Sequence, residues 1–130
     1  MPRTAEDIET LLYRLGRPFE RTGQTFVVSS GADRPPIALH VADPVLLARV
    51  AIGPLPADEK RQLALLRQML VYNATDLVHA AYGIDGEQMV LAAGLALENI
   101  DENEIDAALS DIDLALVRHT ARLSELARGV

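Results

Sequence analysis

Apolar residues open the chain at helical spacing. Ile8, Leu11, Leu12 and Leu15 stand at i, i+3, i+4 and i+7, which is one buried face of a helix. Thr4 occupies the N-cap position with Asp7 in the capping-box slot, and Gly16 followed by Pro18 stops the helix. From Phe19 to Ile52 the period shortens. Phe19-Glu20-Arg21 reads as a short strand, Thr22-Gly23-Gln24 as a turn and Thr25 to Ser29 as a β-rich run. Gly31 to Pro36 is a loop held open by its prolines. Ile37, Leu39 and Val41 then alternate with Ala38 and His40, giving one apolar face. Asp43-Pro44 breaks the run. Val45 to Ile52 resumes it, either as a further strand or as a helical turn.

Gly53-Pro54-Leu55-Pro56 closes that region and opens a second helix, with Pro56 suited to the first helical position. Asp58 and Glu59 fall in its first turn, where the helix dipole favours acids. The helix carries two apolar stripes. One is Leu63, Leu66 and Leu70; the other is Leu65, Met69 and Tyr72, almost opposite, with Lys60, Arg61, Arg67 and Gln68 on the flanks. A helix that only covers a sheet needs one stripe. The Leu65, Met69, Tyr72 side is therefore a candidate subunit or partner interface, against the alternative that the chain's own strands bury it.

A hairpin follows from His79 to Leu91, with Asp85-Gly86 as its tight turn. Apolar residues to Leu97 extend its second strand. The last helix runs from Asn99 to Val130. Asp101 caps it, Glu104 completes a capping box, Ile100 and Ile105 form a staple, and Gly129 ends it. Its stripe is Ile105, Leu109, Ile112, Leu116 and Leu123. The elements give an α+β fold: an antiparallel sheet of about five strands flanked by three helices, in the order α-β-β-β-α-β-β-α. A fourth strand joins the first group if Val45 to Ile52 is extended. No repeat or linker divides residues 1–130, so one domain is expected.

Composition narrows the functions. Hydrophobic residues make up 49% of the chain, enough for a core, and aromatics only 4%, so that core is aliphatic. The net charge of −7 argues against nucleic acid and against anionic membranes. Without cysteine there is no disulfide framework and no thiolate zinc site. The start, Met1-Pro2-Arg3-Thr4-Ala5-Glu6-Asp7, lacks the apolar run of a signal peptide, and a cytoplasmic location is expected.

Catalytic chemistry is hard to find. His40, His79 and His119 lie on three different elements without ligand spacing, so no metal site is expected. Ser29-Ser30-Gly31 lacks the nucleophile elbow, and Gly83, Gly86 and Gly94 make no phosphate loop. The acids Glu98, Asp101, Glu102, Glu104, Asp106, Asp111 and Asp113 run without a basic residue between them. They lack the mid-loop glycine of a calcium loop and read as a solvated, dipole-favoured face. A small-ligand or metal-binding enzyme built on that cluster and His119 is the remaining enzymatic alternative. No cofactor is expected.

The helix ending Leu66-Arg67-Gln68-Met69-Leu70-Val71-Tyr72-Asn73, the hairpin Ala80 to Leu91 and the capped last helix together resemble two related groups. These are the YbjN-like proteins and the type III secretion chaperones of the Tir-chaperone class. In their pattern a helix ends in an apolar pair and an Asn, kept here as Met69-Leu70-Val71-Tyr72-Asn73. The wide Asp33 to Pro36 loop departs from the tight hairpins of that pattern.

The resemblance implies one antiparallel sheet with helices packed on it, a homodimer paired through the middle helix, and binding of another protein without catalysis. A client would lie as an extended segment on sheet edges and apolar grooves, and Phe26 and Val28 mark a candidate strand edge for it. The YbjN-like side of the resemblance implies a regulatory role in stress or sensory signalling. A dedicated secretion chaperone for one client is the alternative.

Overall fold

The computed structural model describes residues 3–31 and 33–129. Met1, Pro2, Ala32 in the 31–36 loop and Val130, the expected last residue of the final helix, lie outside the described residues. The elements run in the order α1 (Ala5–Leu15), β1 (Phe19–Thr22), β2 (Thr25–Val28), β3 (Ile37–Ala42), β4 (Val45–Pro54), α2 (Glu59–Thr75), β5 (Ala81–Asp85), β6 (Gln88–Ala96) and α3 (Glu102–Arg128). One antiparallel sheet holds six strands in the order β1-β2-β3-β4-β6-β5. The sixth comes from Val45 to Ile52, which is extended. Leu46, Ala48 and Val50 point into the core while Leu47, Arg49 and Ala51 point out, which is the period of a strand.

Local chemistry fixes the ends of the elements. Thr4 and Asp7 form a complete capping box on α1, and Gly16 closes that helix with φ +71. Asp101 caps α3 by accepting the Glu104 N–H at 2.9 Å, and α3 begins at Glu102 because Asn99 sits in a left-handed turn. Two further boundaries differ from expectation. Helix α2 begins at Glu59, because Asp58 accepts the Arg61 N–H at 3.0 Å and so becomes the N-cap, leaving Pro56 outside. In the β5–β6 hairpin Asp85 pairs with Gln88, so the turn is Gly86-Glu87. Only Gly86 takes a positive φ, at the first central position, as in a type II′ turn.

Alternating burial shows that the helices cover one face of the sheet. Phe26, Val28, Ile37, Leu39, Leu46, Val50 and Leu91 turn inward to meet Ile8 and Leu12 of α1, Leu65 and Met69 of α2, and Ile105, Leu109 and Ile112 of α3. Helix α3 lies centrally, touching α1, α2 and β6, while α2 also covers β5. Val27 and Leu47 stand exposed on the opposite face.

Two expectations are corrected by this packing. Leu65 and Met69 are buried in the chain's own core, at 0% and 3% exposure. The stripe facing solvent is Leu63, Leu70 and Val71, with Leu66 half-buried at its border. Phe26 and Val28 are fully buried, and β2 is an interior strand between β1 and β3. The free edges are β1 and β5.

Candidate functional site

Helix α2 presents an apolar hollow of about 800 Å³, lined by Leu63, Leu66, Leu70 and Val71 with Ala64 and Ala74, and by Lys60 and Arg67. Leu63 is 70% exposed and Leu70 is 68% exposed. Leucines exposed in a row along one helix form a contiguous apolar patch, which makes this stripe a candidate interaction surface. The two-stripe pattern of α2 predicts an apolar face beyond the one that docks, and the docking of α2 onto β5 and α3 decides which stripe is left exposed.

Behind that surface, Tyr72 is only half-buried and serves neither as core nor as open interface. Its ring stacks on the His119 imidazole, centroids 3.5 Å apart and planes within 6°. His119 is buried, with both nitrogens engaged. Nδ1 meets the Tyr82 hydroxyl at 2.7 Å and Nε2 meets the Asp76 carboxylate at 2.8 Å. The neutral tautomer with a proton on Nε2 satisfies both contacts: Nε2–H donates to Asp76, and Tyr82 Oη–H donates to Nδ1. The His119 hydrogen bond, then that of Thr75, holds the Asp76 carboxyl below the usual range. Burial pushes the Tyr82 hydroxyl up, and burial with the nearby Asp76 charge does the same for Tyr72. The group ties the end of α2 and strand β5 to α3.

The acidic run does not converge on one point. Asp101 caps α3, Glu102 pairs with Arg14 of α1 at 3.3 Å, and Asp113 pairs with Arg17 just past the end of α1. Asp111 accepts the backbone N–H groups of Val78, His79 and Ala80, at 3.2, 2.7 and 2.8 Å. Asp111 and His119 border one small hollow beside Asp76, but their carboxylate and imidazole are committed to these contacts. Among the described residues no group of three His, Asp or Glu side chains is placed to hold a metal ion. No helix of the described residues is long and apolar enough to cross a membrane.

The sheet edges carry different fittings. At β5, Asn73 holds both backbone polar groups of Tyr82: Oδ1 accepts its N–H at 2.7 Å and Nδ2 donates to its C=O at 3.1 Å. At β1, Arg21 lies over the Phe26 ring and reaches back to Glu9 and Glu6 of α1, at 2.7 and 3.0 Å. Its backbone stays at the rim of the sheet.

A six-stranded antiparallel sheet with three helices on one face can be set beside known proteins. Residues 1–129 match the CesT_Tir_1 family. The chain belongs to that family of type III secretion chaperones. No curated protein sequence matches it.

Among solved structures, a chain of the heterodimeric ExoU–SpcU complex from the type III secretion system of Pseudomonas aeruginosa is 19% identical. It matches over 95% of this chain and 99% of its own length, with a TM-score of 0.71. YbjN from E. coli is 14% identical over 92% of this chain and 93% of its own, at 0.70. The complex of the Yersinia pestis secretion chaperone SycH with a fragment of YscM2 is 16% identical over 88% and 94%, at 0.58. At these identities the structures establish the fold of this CesT_Tir_1 member. It is the α+β, antiparallel-sheet fold expected from the sequence, with six strands where about five were expected.

Proposed function

We propose that this chain is a homodimeric, non-enzymatic chaperone that holds an extended segment of a client protein. Family membership supports protein binding in kind, and two of the similar structures are complexes of a secretion chaperone or system with a protein partner. It also favours the chaperone role over regulation in stress or sensory signalling. The observation that carries the dimer is the exposed α2 stripe. Leu63, Leu66, Leu70 and Val71 of one copy pack on the same stripe of a second, as a two-fold interface requires. Burying this row removes several large aliphatic side chains from water at about 25 cal/mol per Å².

The dimer keeps β1 and the bare face of the sheet available for a client. Commitment of His119, Asp76 and Asp111 to structural contacts supports the absence of turnover. A cytoplasmic location belongs to the same reading, and membership in a family of protein-binding chaperones is consistent with it. Light scattering at micromolar concentration should give twice the 14.1 kDa chain mass. A monomer at that concentration refutes the dimer.

A further inference from the structure

The two free edges of the sheet are not equivalent as templates. Asn73 fills, at Tyr82 of β5, the backbone positions a neighbouring strand would use. The approach to β5 is closed as well, since Asp111 takes the amides of Val78, His79 and Ala80. At the other edge the Pro18 C=O accepts the Ser29 N–H at 3.0 Å, and Thr22 pairs with Thr25 across the turn. Alternation along an antiparallel ladder then turns the backbone groups of Phe19 and Arg21 outward. Among the described residues no side chain is hydrogen-bonded to either of them. Such an edge invites strand addition.

A hollow of about 340 Å³ lies at the Phe19 end of that edge, with Val27, Ser30 and Arg34 in its walls. Arg34 forms no ion pair among the described residues, although Glu20 stands on the same rim. Its guanidinium folds over Gly31, where a Cβ would come within 3.3 Å of Nη2, and Gly31 takes a φ of +121. Glycine there leaves room for the arginine and permits the loop conformation. The Ser30 hydroxyl is buried and has no hydrogen-bond partner. A cation without a partner thus stands beside an unused hydroxyl, at the end of a strand edge with unpaired backbone groups.

We propose that this hollow receives an acidic side chain from an extended partner segment lying antiparallel on β1. In that direction the C-terminal end of the segment reaches Phe19, so a carboxylate following the paired residues arrives at Arg34. The chain as a whole carries a charge of −7 and repels acids at long range. The arginine therefore selects a carboxylate delivered in register by backbone pairing, rather than acidic proteins in general. The proposal rests on the protein-binding reading above and adds the chemistry of the bound segment.

The test uses two amide-capped peptides of alternating threonine and valine, one ending in glutamate and the other in glutamine, titrated into the isotope-labelled full chain. The glutamate peptide should bind about tenfold more tightly, as a charge-assisted hydrogen bond does. Amide resonances of Phe19 to Thr22 and of Arg34 should move, while those of Ala81 to Asp85 stay. Arg34→Gln should erase the difference between the peptides, and Glu20→Gln should widen it. Equal binding of the two peptides, binding of neither at millimolar concentration, or shifts centred on β5 overturns the proposal. A natural client that binds at another surface likewise overturns it but leaves the chaperone reading intact. Failure of the chain to bind any client removes both.

Discussion

The Tyr82 hydroxyl meets His119 Nδ1 at 2.7 Å across 37 residues of sequence, joining β5 to the middle of α3. Both groups are buried, so His119→Ala should leave the Tyr82 hydroxyl unpaired at a cost of about 1–3 kcal/mol, added to the lost packing against Tyr72. A double-mutant cycle with Tyr82→Phe, read from urea midpoints, should show strong coupling. Additive effects would mean that the contact contributes nothing to stability.

The same network sets a pH dependence with two limbs. The Asp76 carboxyl is held below its usual value, so its contribution is complete above the unfolded carboxyl range, near pH 4. It is lost as the pH falls through the lower folded value. The Tyr82 hydroxyl is pushed up by burial, so its contribution is complete below the unfolded value near pH 10 and is lost above it. Melting temperatures measured across pH should show both losses. Asp76→Asn should make the acid limb shallower, with Glu6 and Asp7 keeping part of it, and Tyr82→Phe should make the alkaline limb shallower, with Tyr72 keeping part of it; unchanged curves contradict the assignment.

The two stripes of α2 should respond oppositely to substitution. Leu65→Ala removes a fully buried side chain and should cost about 2–5 kcal/mol without changing assembly at concentrations where the protein stays folded. Leu70→Glu places a charge on an exposed position of the proposed interface and should dissociate the dimer with the fold kept. Light scattering paired with circular dichroism separates the two. A Leu70→Glu variant that stays dimeric moves the interface elsewhere.

Capping of the last helix gives a smaller, local effect. Asp101→Ala removes the bond to the Glu104 N–H and should cost about 1 kcal/mol. Leu109→Ala, in the same helix, should cost about 2–5 kcal/mol because Leu109 is fully buried. Urea midpoints unmoved by Leu109→Ala would show that α3 is not docked.

Much of the fold was legible because its signals are local. The Thr4–Asp7 box, Gly16 and the Asp101 cap each lie within a few residues, the α3 stripe repeats at helical spacing, and these act as their spacing implies, although of the Asp101–Glu104 box only the Asp101 half forms among the described residues. Strand β4 was ambiguous only because its outward positions, Leu47 and Ala51, are as apolar as its inward ones, which blurs a period of two. Helix α2 was misassigned for a related reason. Both of its stripes are aliphatic, so the pattern shows two apolar faces but cannot say which one docks. Strand position within a sheet is likewise a long-range property, so β2 could not be told from an edge. Asp111 on the 78–80 amides and Asp76 on His119 span 31 to 43 residues and have no local signature. Asn73 was visible as part of a motif, but its contact with the backbone of Tyr82 was not.

The most direct measurement is hydrogen exchange on the full chain purified from its native host with whatever polypeptide accompanies it. The expected result is a stoichiometric client with one contiguous, extended protected segment, and new protection in the chain at Phe19 to Thr22, with the α2 stripe already protected in the free dimer. No stoichiometric polypeptide, or a client that alters exchange at neither surface, would contradict the reading of this chain as a chaperone.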